Sequence, residues 1–477
     1  MTMHAQMIDL LDQQTRLTRN QHKLVAAATF GLILEFLDFF LIGFIVAIVS
    51  GPWELTAQGG AYILMSSGLG AIVGGFVFGR LADVLGRRKI FLTTITVFTL
   101  GTLALIWTPD SPSAGPWYLG IFRFIIGLGA GGLYVVDLPL VQEFVPSNKR
   151  GLISGLVTAA VPIGIILGSI LVKTLVPVIG WRALFLICAG LSVFVLLIRT
   201  WIPESPRWLL RNGRTEEAAR AVGWALERDP ATIPTQVTGT AEPAVPFRAI
   251  FKYPRSLIAS WGANIGVQTG YYGLSLWSPA LIAAILVVDA PTAAYYMIFV
   301  SCAALVGRIL VSFLSERIGR RKTGLLCTFG AATTIILTGL TGHAMIGAVS
   351  AFIVMLMISN LLHEGGFATI GPYSAEVWPA DLRTTGMGSA YGIGGIGKVI
   401  GPLGLAWVIG STNIFAPAPN PSALTPAFIY FAAWYFLAGL AILFFGDETK
   451  NRTIEEVDAR LRNRETAGAE APRTKPA

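Results

Sequence analysis
Twelve predominantly apolar runs, each long enough to cross a bilayer as a helix, constrain this chain more than any other feature. They fall near 24–50, 58–79, 90–108, 115–138, 151–177, 181–202, 256–287, 291–313, 323–342, 345–371, 384–410 and 425–446. About 20 apolar residues in an α-helix cover the hydrocarbon core of a bilayer. No water reaches that depth, so each backbone N–H and C=O must be satisfied inside its own segment, and runs of this length select helices. Only 13% of the residues are charged and 54% are hydrophobic, against about 25% charged in an ordinary soluble chain. Lipid is therefore the solvent for most of the surface. The expected fold class is an all-α membrane protein with twelve transmembrane helices.

Loop charges orient the spans. One set of loops holds Arg80, Arg87, Arg88 and Lys89, then Lys149 and Arg150, then Arg317, Arg320, Arg321 and Lys322; the opposite set offers little beyond Lys173 and Arg182. Basic loops stay on the cytoplasmic side. Both termini are then expected inside, in the cell's inner (plasma) membrane, as an even number of spans requires. This gives a cytoplasmic N-terminal segment at 1–23, a six-helix bundle at 24–202 and a cytoplasmic linker at 203–255. A second six-helix bundle follows at 256–446, then a cytoplasmic tail at 447–477. The linker carries an amphipathic stretch from Thr215 to Glu227. The polar start, with Asp9, Asp12, Arg16 and Arg19, marks the first run as a retained span and not a cleaved signal.

The net charge of +8 does not point to nucleic acid, because the cations lie in short clusters between apolar runs and form no continuous basic face. Cys188, Cys302 and Cys327 lie inside apolar runs without ligand spacing, so neither a metal site nor a disulfide framework is expected. No Ser-His-Asp, HExxH or Walker pattern stands in a supporting context, which argues against an enzyme, a nucleotide-driven pump and any bound cofactor. The linker is too short for the output domain of a sensor.

An internal repeat divides the chain. LADVLGRRK at 81–89 returns as LSERIGRRK at 314–322, an offset of 233, and Glu143, Pro146 and Arg150 return as Glu376, Pro379 and Arg383 in the same register. Duplicated halves of this kind build carriers whose site lies at the membrane midplane between the repeats. Each motif sets an acid (Asp83 or Glu316) near a helix end, a glycine turn (Gly86 in the first copy), and then cations: Arg87 and Arg88, or Arg320 and Arg321. With Glu143, Arg150, Glu376 and Arg383 these residues form a candidate cytoplasmic gate of breakable ion pairs.

An ionisable side chain at bilayer depth costs about 2.5–3.5 kcal/mol on insertion scales, which makes each one a functional candidate. Glu35 and Asp38 lie three apart in EFLDFF of the first run and share a helix face. At about 1.5 Å per residue, Asp38 lies roughly 16 Å and Arg123 of the fourth run roughly 10 Å from the outer boundary, within an arginine's reach. Protonating a carboxylate that holds an arginine releases the cation, so the pair is a candidate for proton coupling. Lys398 lies deep in the eleventh run, able to attract a substrate carboxylate or to pair with Glu364, and His363 adjoins Glu364. Asp137 is expected at a rim or gate. In the seventh run Asn264 and Gln268 share one face, while Tyr271, Tyr272 and Trp277 are able to stack on a ring or to pack at the interface.

These motifs carry a resemblance. GRLADVLGRRK at 79–89, the stretch from Arg123 to EFVPSNKRG ending at Gly151, PESPRWLL at 203–210 and DETKNRTIEEV at 447–457 resemble hallmarks of the major facilitator superfamily. They are similar in particular to the branch of sugar porters and metabolite:proton symporters. The resemblance implies two pseudo-symmetric six-helix bundles working by alternating access. In proton-coupled members of the branch an acid of the first helix and an arginine of the fourth form the coupling pair, and Asp38 and Arg123 fall on those positions. EFLDFFLIGF resembles the first helix of aromatic-acid:proton symporters and niacin-type transporters, except that Glu35 replaces Asp and Phe36 replaces Gly. GYYGLSLWSP is similar to the seventh helix of the metabolite:proton group, which implies that Gln268 and Tyr272 face a cavity. AAVPIGIILG, with Pro162 and Gly164, lacks the full GPxxGG antiporter pattern.

The expected function is a proton-coupled symporter of a small organic acid, aromatic acids included. The alternatives are a proton-coupled sugar or polyol symporter and, behind it, a metabolite or drug exporter. The expected partners are a small-molecule substrate, protons and the lipid bilayer, with the monomer as the working unit.

Overall fold
Glycines and polar breaks end the helices where the apolar runs stop. The computed structural model describes residues 4–146, 149, 153, 157–235, 237–238, 246–342, 344–347, 349–379, 381–409, 421–450, 456 and 461. Its long helices are α1 (Arg19–Val49), α2 (Ala57–Leu85), α3 (Arg87–Ala104), α4 (Gly115–Phe144), α5 (Ala160–Ile179) and α6 (Arg182–Arg199). After the linker come α7 (Pro254–Leu286), α8 (Ala290–Ile318), α9 (Arg320–Thr341), α10 (Ala351–Glu376), α11 in two segments (Arg383–Gly394 and Gly397–Ile409) and α12 (Pro421–Phe445). Among the described residues, eleven spans meet the length and apolarity needed to cross a membrane. The twelfth helix, α7, is long enough at 33 residues, but Ser260, Asn264, Gln268 and Thr269 make it polar. Two antiparallel pairs of two-residue strands, His4–Ala5 with Val237–Thr238 and Met345–Ile346 with Val349–Ser350, are the β structure among the described residues.

Local chemistry explains the boundaries. Thr18 and Gln21 form a reciprocal capping box at the start of α1, satisfying two backbone donors that the first turn leaves open. Gly86 at φ 104° and Gly319 at φ 106° join α2 to α3 and α8 to α9. Side chains other than glycine rarely adopt that backbone, so the repeated motif needs glycine at both turns. The amphipathic linker stretch forms a helix, Thr215–Leu226, that buries Ala218, Ala219, Val222 and Ala225. Asn20 Nδ2 donates to Trp224 O at 2.8 Å, tying that helix to the start of α1.

Small residues set the helix packing. A Cβ on Gly127 would run into the backbone of Ser67, and one on Gly131 into that of Ala71, so α4 and α2 meet backbone to backbone. A Cβ on Gly307 of α8 would likewise strike Leu361 of α10. Close approach at small residues is how helices associate where the solvent is itself apolar. The outer surface is inverted relative to a soluble protein: Phe76, Trp107 and Val178 are 73%, 70% and 79% exposed, as a lipid-facing surface demands.

The chain forms two compact units. One takes in Met1–Pro243 and Leu276–Ile298; the other takes in Ala244–Ser275, Phe299–Gly410 and Asn420–Ala477. The second part of α7 and the first part of α8 thus group with the first unit.

Candidate functional site
In the first unit, the close packing of α2 on α4 brings Ser67 to Arg123. Arg123 Nε donates to Ser67 Oγ (2.8 Å), Nη1 to Asp38 Oδ2 (2.8 Å) and Asp38 O (3.1 Å), and Nη2 to Phe39 O (3.2 Å). Both charged residues are fully buried. Arg123 is therefore held by α1 and α2, each of its three guanidinium nitrogens donating to the protein. Asp38 Oδ1 has no hydrogen-bond partner among the described residues. One carboxylate oxygen holds the arginine and the other is open to a proton.

A second buried pair lies in the same unit. Asp137 of α4 meets Arg199 of α6 at 2.5 Å, and Arg199 also stacks over Phe91 at 4.2 Å. Asp137 is thus placed inside the bundle, 6% exposed, and not at an open rim. Glu35, Asp137 and Arg199 line one small pocket together with Gly31, Leu34 and Phe91. Glu35 faces that cavity, one helical turn from Asp38.

The second unit holds the polar face of α7. Asn264 Nδ2 donates to Ser260 O (2.8 Å) and Ser374 Oγ (2.6 Å), and Gln268 Nε2 donates to Asn264 Oδ1 (3.4 Å). Gln268 Oε1 is buried without a hydrogen-bond partner among the described residues. Asn264, Gln268, Phe367 and Tyr391 line a small pocket. Tyr271 and Tyr272 are buried beside it, edge to face at 5.0 Å. Lys398 Nζ lies 5.1 Å from the centre of the Tyr272 ring, a cation–π contact.

One pairing that the sequence left open is decided. Glu364 does not pair with Lys398: its partner is Arg308 of α8, at 3.5 Å, because the contact at Gly307 draws α8 onto α10. Trp277 is fully buried in the first unit, where it lies against Gly60.

The repeated motif builds the same network in each unit. In the first, Arg87 pairs with Glu143 at 2.5 Å, Ser205 Oγ donates to Glu143, and Glu204 accepts from the backbone N–H groups of Arg87 (3.0 Å) and Arg88 (3.1 Å). In the second, Arg320 reaches Glu376 at 3.4 Å and Glu316 at 2.6 Å. Thr449 Oγ1 donates to Glu376 at 2.5 Å, and Glu448 accepts from Arg320 N at 2.9 Å. Glu204 and Glu448 each cap the first turn of a helix, where unsatisfied N–H groups favour a negative charge. Arg88 donates to Thr200 O and Arg321 to Leu443 O, serving the carbonyl end of α6 and of α12. Asp83 is exposed and accepts from Trp208 Nε1 through its backbone carbonyl. Arg383 Nε donates to Trp378 O at 3.4 Å. Arg150 lies outside the described residues.

One glycine turn, one arginine–glutamate pair and one capping glutamate, built twice, are what duplication of a carrier half leaves behind. Residues 24–461 match the family described as sugar (and other) transporter. The chain belongs to that transporter family. Within it, the chain is 28% identical over 436 residues to the niacin transporter of Acinetobacter baylyi, covering 90% of this chain and 94% of that protein. It is 25% identical over 433 residues to the cis,cis-muconate transport protein of the same organism, covering 90% and 95%. The xylose transporter from E. coli shares its fold, with a TM-score of 0.70 at 18% identity over 91% of this chain and 100% of that one. The fold is thus the twelve-helix major facilitator fold of a multi-pass membrane transporter.

Residues that the motifs alone do not single out complete both networks and interiors of this family member. Glu204 and Ser205 correspond to Glu448 and Thr449 at an offset of 244, because the stretch from Glu376 to Glu448 is 11 residues longer than that from Glu143 to Glu204, which breaks the ungapped register that reveals the other positions. Arg199 and Arg308 carry the same signal as Arg123, a single cation in an apolar run, but with no spacing pattern around them.

Proposed function
We propose that this transporter is a proton-driven symporter of a small organic acid, working by alternating access with Asp38 as its proton carrier. The observation that carries the reading is the fully buried Asp38–Arg123 pair with Asp38 Oδ1 unpartnered. Removing a proton acceptor's charge while its arginine is still held by Ser67 and Phe39 O alters the charge inside the bundle without unlocking α1 from α4. Asn264, Gln268, Tyr391 and Phe367 supply hydrogen bonds and an aromatic wall of the kind that small-molecule sites use. Transporters named for niacin and muconate, both carboxylic acids, are among the relatives that match over nearly full length. The protein acts in the inner membrane with both termini cytoplasmic, following the basic loops.

The amides of Asn264 and Gln268, four apart on one helix face, favour the second reading, a sugar or polyol symporter, since hydroxyls need paired donors and acceptors. Counterflow in proteoliposomes with a panel of aromatic carboxylates, dicarboxylates, sugars and polyols separates the two. Aromatic carboxylates are expected to compete; competition by neutral sugars alone would remove the organic-acid reading.

A further inference from the structure
The polar face of α7 carries one acceptor that the protein itself leaves open, and a chain of directed hydrogen bonds fixes which atom it is. Asn264 and Gln268 are 4% and 1% exposed. Gln268 lies fourteen residues from Pro254 and eighteen from Leu286, near the middle of the helix. A side-chain amide has an acceptor oxygen and a donor nitrogen that exchange places when the group turns over, so its orientation is read from its partners. Asn264 Nδ2 lies 2.8 Å from Ser260 O, a carbonyl that only accepts. It also lies 2.6 Å from Ser374 Oγ, whose single proton is spent on Ile370 O at 2.7 Å. Both contacts demand a donor, so Asn264 presents its oxygen to Gln268. Gln268 answers with Nε2, which donates to Asn264 Oδ1 at 3.4 Å. Gly394 of α11 closes on the same nitrogen, where a Cβ would collide with it. The acceptor Oε1 remains, buried and without a hydrogen-bond partner among the described residues. Gln268 lines the small pocket whose other walls include Phe367 and Tyr391.

We propose that Gln268 is a specificity-determining residue whose Oε1 accepts a hydrogen bond from the substrate, so that this transporter takes hydroxylated aromatic acids in preference to aromatic acids with no donor on the ring. The assignment rests on the organic-acid reading above. A buried acceptor left unpaired carries the full desolvation penalty of that group, so a ligand that supplies an O–H gains more than one that only fills the space. Sites built to pair with a substrate hydroxyl reject the analogue lacking it far more strongly than apolar pockets reject a change of size. The carboxylate is not the group that enters here. When ionised it only accepts, and it would set two acceptor oxygens against each other. A pyridine nitrogen or a methoxy oxygen fails for the same reason. A phenolic hydroxyl meets both demands of the pocket: it donates to Oε1, and the ring edge that bears it lies against Phe367.

The test measures binding of benzoate, 3- and 4-hydroxybenzoate and the matching methoxybenzoates to the purified full-length protein. The methoxy compounds keep the ring oxygen and lose its proton. Wild-type protein is expected to bind one of the hydroxybenzoates tighter than benzoate, and tighter than its methoxy counterpart, by about tenfold or more, a difference of about 1.4 kcal/mol. Gln268→Met keeps the length of the side chain and removes the acceptor, and the ratio of hydroxybenzoate to benzoate affinity is expected to fall to near one. The donor that Asn264 Oδ1 loses in this variant weakens every ligand alike and cancels in the ratio. The wild-type series tests the assignment by itself if the variant does not fold. Benzoate or methoxybenzoate binding as tight as hydroxybenzoate in wild type, or an undiminished ratio in Gln268→Met, overturns the assignment while leaving the organic-acid reading standing. If wild-type protein binds no aromatic carboxylate, the two fall together.

Discussion
Arg123 in the first unit and Arg308 in the second are both buried arginines beside a buried acid, yet they are held differently. Arg123 makes four donations to two helices, and removing the charge of Asp38 would still leave it anchored to Ser67 and Phe39 O. Arg308 meets its acid at 3.5 Å, next to a cavity with polar and aromatic walls. Outside the interior the two units agree closely: Gly86 and Gly319, Arg87 and Arg320, Glu143 and Glu376, Glu204 and Glu448 occupy matching places. The difference teaches that duplication preserved the networks at the motif ends while the two interiors diverged. One became a buried pair with a single open oxygen, the other a polar and aromatic surface.

Arg123→Ala should break the comparison most severely. It leaves Asp38 buried without a counter-charge, which costs about 3–5 kcal/mol; uptake should be lost and the thermal midpoint should fall well below wild type. Retained uptake would mean the pair is dispensable. Gly127→Ala and Gly307→Ala sharpen the contrast, since each forces a Cβ into the facing backbone at about 1–3 kcal/mol of strain. Gly127→Ala, which displaces Ser67 from Arg123, is expected to reduce proton-driven accumulation. Gly307→Ala, which separates α8 from α10, should mainly raise KM for substrate, and steady-state uptake kinetics at two pH values distinguish the two. Glu204→Gln and Glu448→Gln test the likeness of the motif ends: each weakens a helix cap by about 0.3–1 kcal/mol and should slow transport to a similar extent. Unequal effects would show that the two networks have different duties. Lys398→Ala is expected to be mildest, a KM change of about two- to fivefold, matching the 0.5–1 kcal/mol of an ordinary cation–π contact.

Sequence alone made the helical architecture and the first interior legible, because both depend on local rules. Apolar runs of bilayer length must be helical, and Asp38 and Arg123 are conspicuous as charges at matching depth. The ungapped repeat likewise exposed the glycine turns and Glu143 with Glu376. The partner of Glu364 was not legible. Lys398 and Arg308 are both cations in apolar runs, and the choice between them depends on which helix packs against α10, decided by Gly307 and Leu361. The surroundings of Trp277 were not legible for a related reason. Its place in α7 fixes its helix, but not which compact unit that stretch of helix joins. The capping role of Glu204 and Glu448 was hidden by the change of offset from 233 to 244, which comes from 11 extra residues between Glu376 and Glu448.

The claim at the centre of this account is that the proton is carried by the open oxygen of Asp38, separately from the surface that holds the substrate. Paired assays on Asp38→Asn in proteoliposomes test it most directly: counterflow of a transported carboxylate at equal pH on both sides, and accumulation driven by a pH gradient. The expected result is counterflow near the wild-type rate with accumulation abolished. Uphill accumulation equal to wild type in that variant would contradict the claim.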